Sequence, residues 1–238
     1  MASCIPIIRA AFFALTHAHG GVYTYNIDSK NYTGLKSPYS EPRYGLPEPN
    51  RPYTLSLFTD YVPIKSGGSV TAWWSNTYVW DKNAWSCDDE YLSDPAHECG
   101  LSNWIHAHGP MMVYMAAYPG SCSDVRPSTL SWFKITQEGL RPGHKAGDAA
   151  GWLQGDIMGK PLTVRGWIVK IPKSLKSGNY LIRHEILGLE SDCPHLYPQC
   201  AQLNVTGTGI ETKAPGMEYL VKFPGAYRPS DLGLNVYT

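Results

Sequence analysis

The chain has 238 residues, 43% hydrophobic and 17% charged, and its 20 basic and 20 acidic side chains cancel at pH 7. That balance leaves no electrostatic footprint for nucleic acid or for an anionic membrane surface, and suits a neutral partner. The length allows one large β domain or two small ones; no Ser/Thr/Pro-rich linker, low-complexity stretch or internal repeat divides them, so a single domain is expected.

Met1 to Ala18 is short, apolar and poor in acids. Ala10-Ala11-Phe12-Phe13-Ala14-Leu15 is its apolar run, interrupted upstream by Arg9, and Thr16-His17-Ala18 is a small-x-small exit. The segment reads as a signal peptide over residues 1–18, preceding a domain over 19–238; a buried first strand or helix is the competing reading. Cleavage before His19 would give that residue a free α-amine beside its imidazole, two nitrogen donors on one residue. No later segment reaches about 20 uninterrupted apolar residues, so no membrane span is expected. Removing the leader removes Cys4 and leaves Cys87, Cys99, Cys122, Cys193 and Cys200. A secreted chain is expected to form disulfides, but five cysteines cannot all pair internally. The sequons at Asn31 and Asn204 agree with an extracellular destination.

The 19 prolines and 23 glycines cut the rest into short segments. Val22 to Ile27 reads as a strand, followed by a Pro- and Tyr-rich surface loop from about Gly34 to Pro52. Tyr53 to Phe58 and Ser69 to Trp74 read as strands, with a turn at Lys65-Ser66-Gly67-Gly68. Asn76 to Asn103 departs from strand patterning and reads as a loop insertion. Its acids Asp88, Asp89, Glu90 and Asp94 form a solvated face rather than a glycosidase pair, because none is anchored on adjacent strand ends. After His106-Ala107-His108-Gly109-Pro110 comes Met111 to Ala116, an apolar run of buried-strand length. Leu130 to Ile135, Leu162 to Ile171, Tyr180 to Leu187, Gln202 to Thr206 and Leu234 to Tyr237 continue the pattern. A glycine-rich connection over Gly139 to Gly151 lacks the ending of a phosphate loop. Many short strands with few helix-period segments predict an all-β, immunoglobulin/fibronectin-III-like antiparallel β-sandwich with long decorated loops.

Six blocks, in order, resemble the fungal lytic polysaccharide monooxygenases of auxiliary activity family 9. They are His19-Gly20 with the hairpin Asp28-Ser29-Lys30-Asn31-Tyr32, then Gly109-Pro110-Met111-Met112-Val113-Tyr114-Met115-Ala116, Trp132-Phe133-Lys134-Ile135, Gly178 to Ile186, Tyr197-Pro198-Gln199-Cys200 and Phe223-Pro224-Gly225-Ala226-Tyr227. The resemblance implies one copper ion, Cu(II) or Cu(I), in a histidine brace. The brace is made by the amine and one ring nitrogen of His19 plus a ring nitrogen of a second histidine, with Tyr197 axial. It implies a flat face for cellulose or a related β-1,4-glucan, oxidised at C1 and/or C4. An external electron donor, a small reductant or a secreted dehydrogenase, and O2 or H2O2 complete the reaction. A monomer is expected, with no further module after Thr238. The alternative is a family-like copper- or polysaccharide-binding protein without turnover.

The second histidine departs from the family pattern. Reading back from Gly109-Pro110 puts Ala107 at the ligand position, between His106 and His108. Adjacent side chains on a strand point to opposite faces, so a looser backbone is needed to bring either inward. His108 needs the smaller adjustment of register and is the preferred second ligand and catalytic residue, with His106 the alternative. Glu190 stands where the family has a histidine and, if ionised, can only accept hydrogen bonds. His195 replaces the family's glutamine two residues before the axial tyrosine; it is expected to donate toward the reacting centre or to approach the copper. Tyr25, Tyr39, Tyr44 and Tyr227 are candidate sugar-stacking residues. Against the family's disulfides, Cys87 to Cys99 and Cys193 to Cys200 are replacement pairings that leave Cys122 over.

Overall fold

A computed structural model describes residues 21–33, 54–56, 62–75, 104–120, 125–158, 166–190, 194–207, 214–228 and 231–234. The signal segment, His19, Tyr39, Tyr44, Cys87, Cys99, Cys122, Cys193 and the acids from Asp88 to Asp94 lie outside the described residues.

Two sheets form the sandwich. Strand β1 (Gly21–Ile27) turns through Asp28 and Ser29 into β2 (Lys30–Thr33); both turn residues hold positive φ, 45° and 68°, as a tight two-residue hairpin turn demands. β1 then pairs with β5 (Ser69–Ser75), and β5 with β8 (Trp167–Lys170), giving a sheet ordered β2-β1-β5-β8. The second sheet runs β11 (Leu220–Val221), β7 (Trp132–Glu138), β6 (Met111–Ala117), β9 (Gly178–Gly188), β10 (His195–Thr206) and β3 (Thr54–Ser56). β4 (Val62–Lys65) also pairs with β10, and both β3 and β4 run parallel to it. The sandwich is therefore mixed at that edge rather than antiparallel throughout. Among the described residues a short helix, α1 (Leu153–Ile157), falls just after the glycine-rich connection, where the sequence reads no element.

The core lies between the sheets. β5 and β8 alternate, and a register shift in β1 between Val22 and Thr24 brings Val22 to the same face as Tyr25 and Ile27, so Val22, Tyr25, Ile27, Val70, Ala72, Trp167 and Val169 face inward. β9 is central in its sheet and buried on both faces. Ile182, His184 and Ile186 meet the facing sheet, while Leu181 and Leu187 pack in a second apolar cluster with Tyr114, Trp152 and Phe223. Arg183 and Glu185, an ion pair on this second face, are both buried, and the Arg183 guanidinium lies 4.2 Å from the centre of the Phe223 ring. Burial on both sides explains why β9 reads as a run rather than an alternation.

Two stacking candidates are corrected here. Tyr25 is 0% exposed and its ring centre stands 5.5 Å from that of His184, so no sugar can reach it. Tyr227 belongs to the second cluster: its hydroxyl is 3.1 Å from that of Tyr114, and its ring centre 5.6 Å from that of Phe223. Burial and the neighbouring Glu185 push the Tyr227 hydroxyl pKa far up, so it stays a neutral packing element.

Candidate metal centre

At one end of the sandwich, where β9 ends and β10 begins, the segment from Trp104 to Pro110 approaches β6. The antiparallel ladder of β6 and β9 continues beyond its regular strands: the N–H of Leu187 donates to Pro110 O (3.0 Å) and that of Leu189 to His108 O (3.0 Å). Extending that register sets Ala107 opposite Glu190, and the Ala107 N–H donates to Glu190 Oε1 at 2.7 Å. The approach needs a glycine at 109. Its φ is 128°, and a Cβ there would stand 1.9 Å from Leu187 O. Gln154 of α1 locks the turn from behind, its buried Nε2 donating to Gly109 O (2.8 Å) and Leu187 O (2.9 Å).

The Glu190 carboxylate gathers both histidines. Its Oε2 is 2.7 Å from His106 Nδ1; its Oε1 is 2.8 Å from His108 Nδ1 and also accepts from the His108 backbone N–H at 3.2 Å. Burial acts to raise its pKa, but the donors from His106, Ala107 and His108 outweigh this and hold it at about 2. Glu190 is thus the acceptor that its ionised form requires: the His106 ring and the Ala107 and His108 backbone N–H groups donate to it, and the His108 ring does so as well when it carries hydrogen on both nitrogens, because its Nε2 faces another acceptor, the Gly147 carbonyl.

The two histidines then diverge. His106 turns its Nε2 to the Tyr197 hydroxyl, 2.9 Å away, and the ring centres are 5.4 Å apart. His108 turns its Nε2 to the Gly147 carbonyl, 3.0 Å away on the glycine-rich connection. The structure brings together His106, Tyr197 and Glu190; it directs His108, the histidine preferred from sequence, to Gly147. His106 and His108, two residues apart on the extended ladder, lie on the same side of it, which is how the one carboxylate reaches both rings.

Trp104 buttresses this edge, its ring 5.2 Å from both His106 and Tyr197 and 5.6 Å from Trp74. Trp74 is the β5 partner of Val22, so β1 begins beside the same cluster. His195 heads β10 opposite Gly188, and by strand alternation leaves on the face of Tyr197. The glycine-rich connection is itself anchored: Arg141 makes a two-pronged pair with Asp156 of α1 (Nη2 to Oδ2, 2.6 Å; Nη1 to Oδ1, 3.1 Å). Of the sequons, Asn31 is exposed on β2, whereas the Asn204 amide donates to Asn179 Oδ1 at 2.8 Å inside the sheet. Among the described residues no group of three or more His, Cys, Asp or Glu side chains converges as a metal site.

Sequence reasoning missed Trp104, Gln154 and the Gly147 carbonyl, and saw in Glu190 only a departure. The available signal was Ala107 and Glu190 flanking two blocks whose strands pair, which becomes visible only once β6 and β9 are in register.

A model of Auxiliary Activity family 9 (formerly GH61) matches residues 19–238. The chain is 34% identical to AA9 family lytic polysaccharide monooxygenase B of Heterobasidion irregulare, over 98% of this chain and 90% of that one. It is 31% identical to the lytic polysaccharide monooxygenase-like protein CEL1 of Agaricus bisporus, over 100% of this chain and 71% of that one. Its fold is similar to the crystal structure of HiLPMO9B, with TM-score 0.68 and 32% identity over 92% of this chain and 91% of that one. A cellulose-active polysaccharide monooxygenase from M. thermophila superposes with TM-score 0.66 and 28% identity, covering 90% and 88%.

Proposed function

The chain belongs to Auxiliary Activity family 9 and is a copper-dependent polysaccharide monooxygenase; from that premise we propose that His19, His106 and Tyr197 hold its copper and that cellulose or a related β-1,4-glucan is its substrate. The observation that carries the assignment of the second ligand is the His106 Nε2 placed 2.9 Å from the Tyr197 hydroxyl, at the end of the sandwich where β1 begins. β1 starts at Gly21, two residues after His19, and two residues of chain span at most about 7 Å. The short tether supports delivery of the His19 amine and ring to this edge.

The donor set suits the metal. A neutral amine, imidazole nitrogens and a phenolic oxygen are ligands that copper accepts in either oxidation state. Bound copper supplies the one-electron chemistry by which O2 or H2O2 is turned against a C–H bond of the sugar chain. The protein does the rest. His106 would present Nε2 and Tyr197 its hydroxyl to the metal, and Trp104 packs edge-on against both rings and limits their rotation. His195, which strand alternation puts on the face of Tyr197, would donate a hydrogen bond toward the reacting centre. Cleavage of residues 1–18, secretion, action as a monomer and glycosylation at the exposed Asn31 complete the reading. Tyr39 and Tyr44 are the stacking candidates retained for the glucan face. Oxidation at C1 and/or C4 with an external electron donor is the expected outcome.

The test is to treat cellulose with copper-loaded chain beginning at His19, a reductant, and O2 or H2O2, and to analyse the soluble oligosaccharides by mass spectrometry. Oxidised products are expected, and a chain beginning at Ala18, whose His19 nitrogen is locked in a peptide bond, should yield none. Equal yields from the two would remove the amine from the ligand set.

A further inference from the structure

We infer that Glu190 is a positioning residue for copper binding: it holds the His106 ring in the tautomer that carries hydrogen on Nδ1, leaving the Nε2 lone pair directed at the Tyr197 edge. The inference deepens the copper reading above and rests on it.

An ionised carboxylate has no hydrogen to give, so at 2.7 Å from Glu190 Oε2 the His106 Nδ1 must be the donor. In the neutral ring the other nitrogen is then an acceptor, and at 2.9 Å it takes the hydrogen of the Tyr197 hydroxyl in the metal-free protein. That nitrogen is the one a metal would use. A carboxylate behind a histidine ligand fixes its orientation and raises its basicity.

Glu190 is itself held. The Ala107 and His108 backbone N–H groups donate to Oε1, and His108 links that oxygen to Gly147 through its ring. Ala107, its two flanking histidines and Glu190 thus form one device. Ala107 keeps the small side chain opposite Glu190, His106 takes the inward place, and His108 ties the carboxylate to the glycine-rich connection. A surface ion pair that merely adds stability would not select a tautomer, which separates the two explanations.

The test uses ¹⁵N-histidine NMR of the metal-free chain beginning at His19, at about pH 8 so that an ordinary imidazole is neutral. Wild type should show His106 protonated on Nδ1 and bare on Nε2. Glu190→Ala should populate the opposite tautomer, weaken Cu(II) binding by calorimetry about 10- to 100-fold, and alter the copper electron paramagnetic resonance spectrum. Glu190→Gln, which keeps an acceptor oxygen, should recover part of both. A wild-type His106 with hydrogen on Nε2, or a tautomer and an affinity unchanged in a folded Glu190→Ala, would overturn the inference. If wild type shows the stated tautomer but takes up no copper, the ligand assignment fails and with it the service of Glu190 to copper, while the tautomer that Glu190 holds stands.

Discussion

His184 and His106 are the same residue type in opposite surroundings: one is enclosed by aromatic rings, the other held by a carboxylate and a phenol. His184, mid-strand on β9, is 0% exposed, lies between the Tyr25 and Trp167 rings, and has no partner for either ring nitrogen among the described residues. Burial alone pushes its pKa down to about 3. His106, 17% exposed, has both nitrogens engaged, by a carboxylate and by a phenol. The first is a packing piece that happens to be polar; the second is oriented. Residue type does not distinguish them. What distinguishes them is whether neighbouring polar groups specify which way each nitrogen faces.

The sharpest way to break the site end is Gly109→Ala. A Cβ that meets Leu187 O at a positive φ should destabilise the fold by about 2–4 kcal/mol in denaturant unfolding, and should separate His106 from Tyr197. Gln154→Leu removes the two hydrogen bonds that support the same turn and leaves two buried carbonyls unpaired, at an expected cost of about 1–3 kcal/mol. His184→Leu, by contrast, should stay within about 1.5 kcal/mol of wild type at neutral pH, since it trades unpartnered nitrogens for apolar contact. A loss above about 3 kcal/mol there would mean that His184 is not a packing piece.

Acid separates the two regions differently. The folded His184 pKa lies below its ordinary 6.5, so the unfolded chain takes up a proton first, and the stability present above 6.5 is lost as pH falls toward about 3. The slope is about 1.4 kcal/mol per pH unit for one proton. Glu190, held at about 2, loses its contribution only as pH falls from its ordinary 4.5. Thermal unfolding between pH 6.5 and 4.5 should therefore flatten in His184→Leu and keep its slope in Glu190→Gln. The smallest effect is expected at Asn31→Asp on exposed β2, within about 0.5 kcal/mol.

Much of the fold was legible because alternation and β-branched or aromatic runs are local signals. β1, β5 and β6 fall nearly where the pattern puts them. β10 begins at His195, seven residues before the strand read from Gln202, because Pro198 and the Tyr-Pro-Gln-Cys block look like a loop when pairing with β9 is unseen. β4 and α1 are too short to announce themselves. At the site, Tyr197 and His19 were named by resemblance alone; Tyr197 stands beside His106, and His19 lies outside the described residues. The second histidine was not, because His106 and His108 flank the expected position symmetrically and the carboxylate that faces both, Glu190, lies 84 and 82 residues away. Tyr25 and Tyr227 were misread because a tyrosine looks the same in sequence whether its ring packs or projects.

The central claim is that His106, and not His108, completes the copper site. Cu(II) titrated by calorimetry into chains beginning at His19 that carry His106→Ala or His108→Ala, with electron paramagnetic resonance on each, tests it directly. His106→Ala should lose affinity by more than the roughly 100-fold upper cost of removing an outer partner and should lose one nitrogen coupling. His108→Ala should lose less than that and keep the wild-type nitrogen set. The reverse order, with His108→Ala abolishing the nitrogen coupling and His106→Ala binding as wild type, would contradict the account.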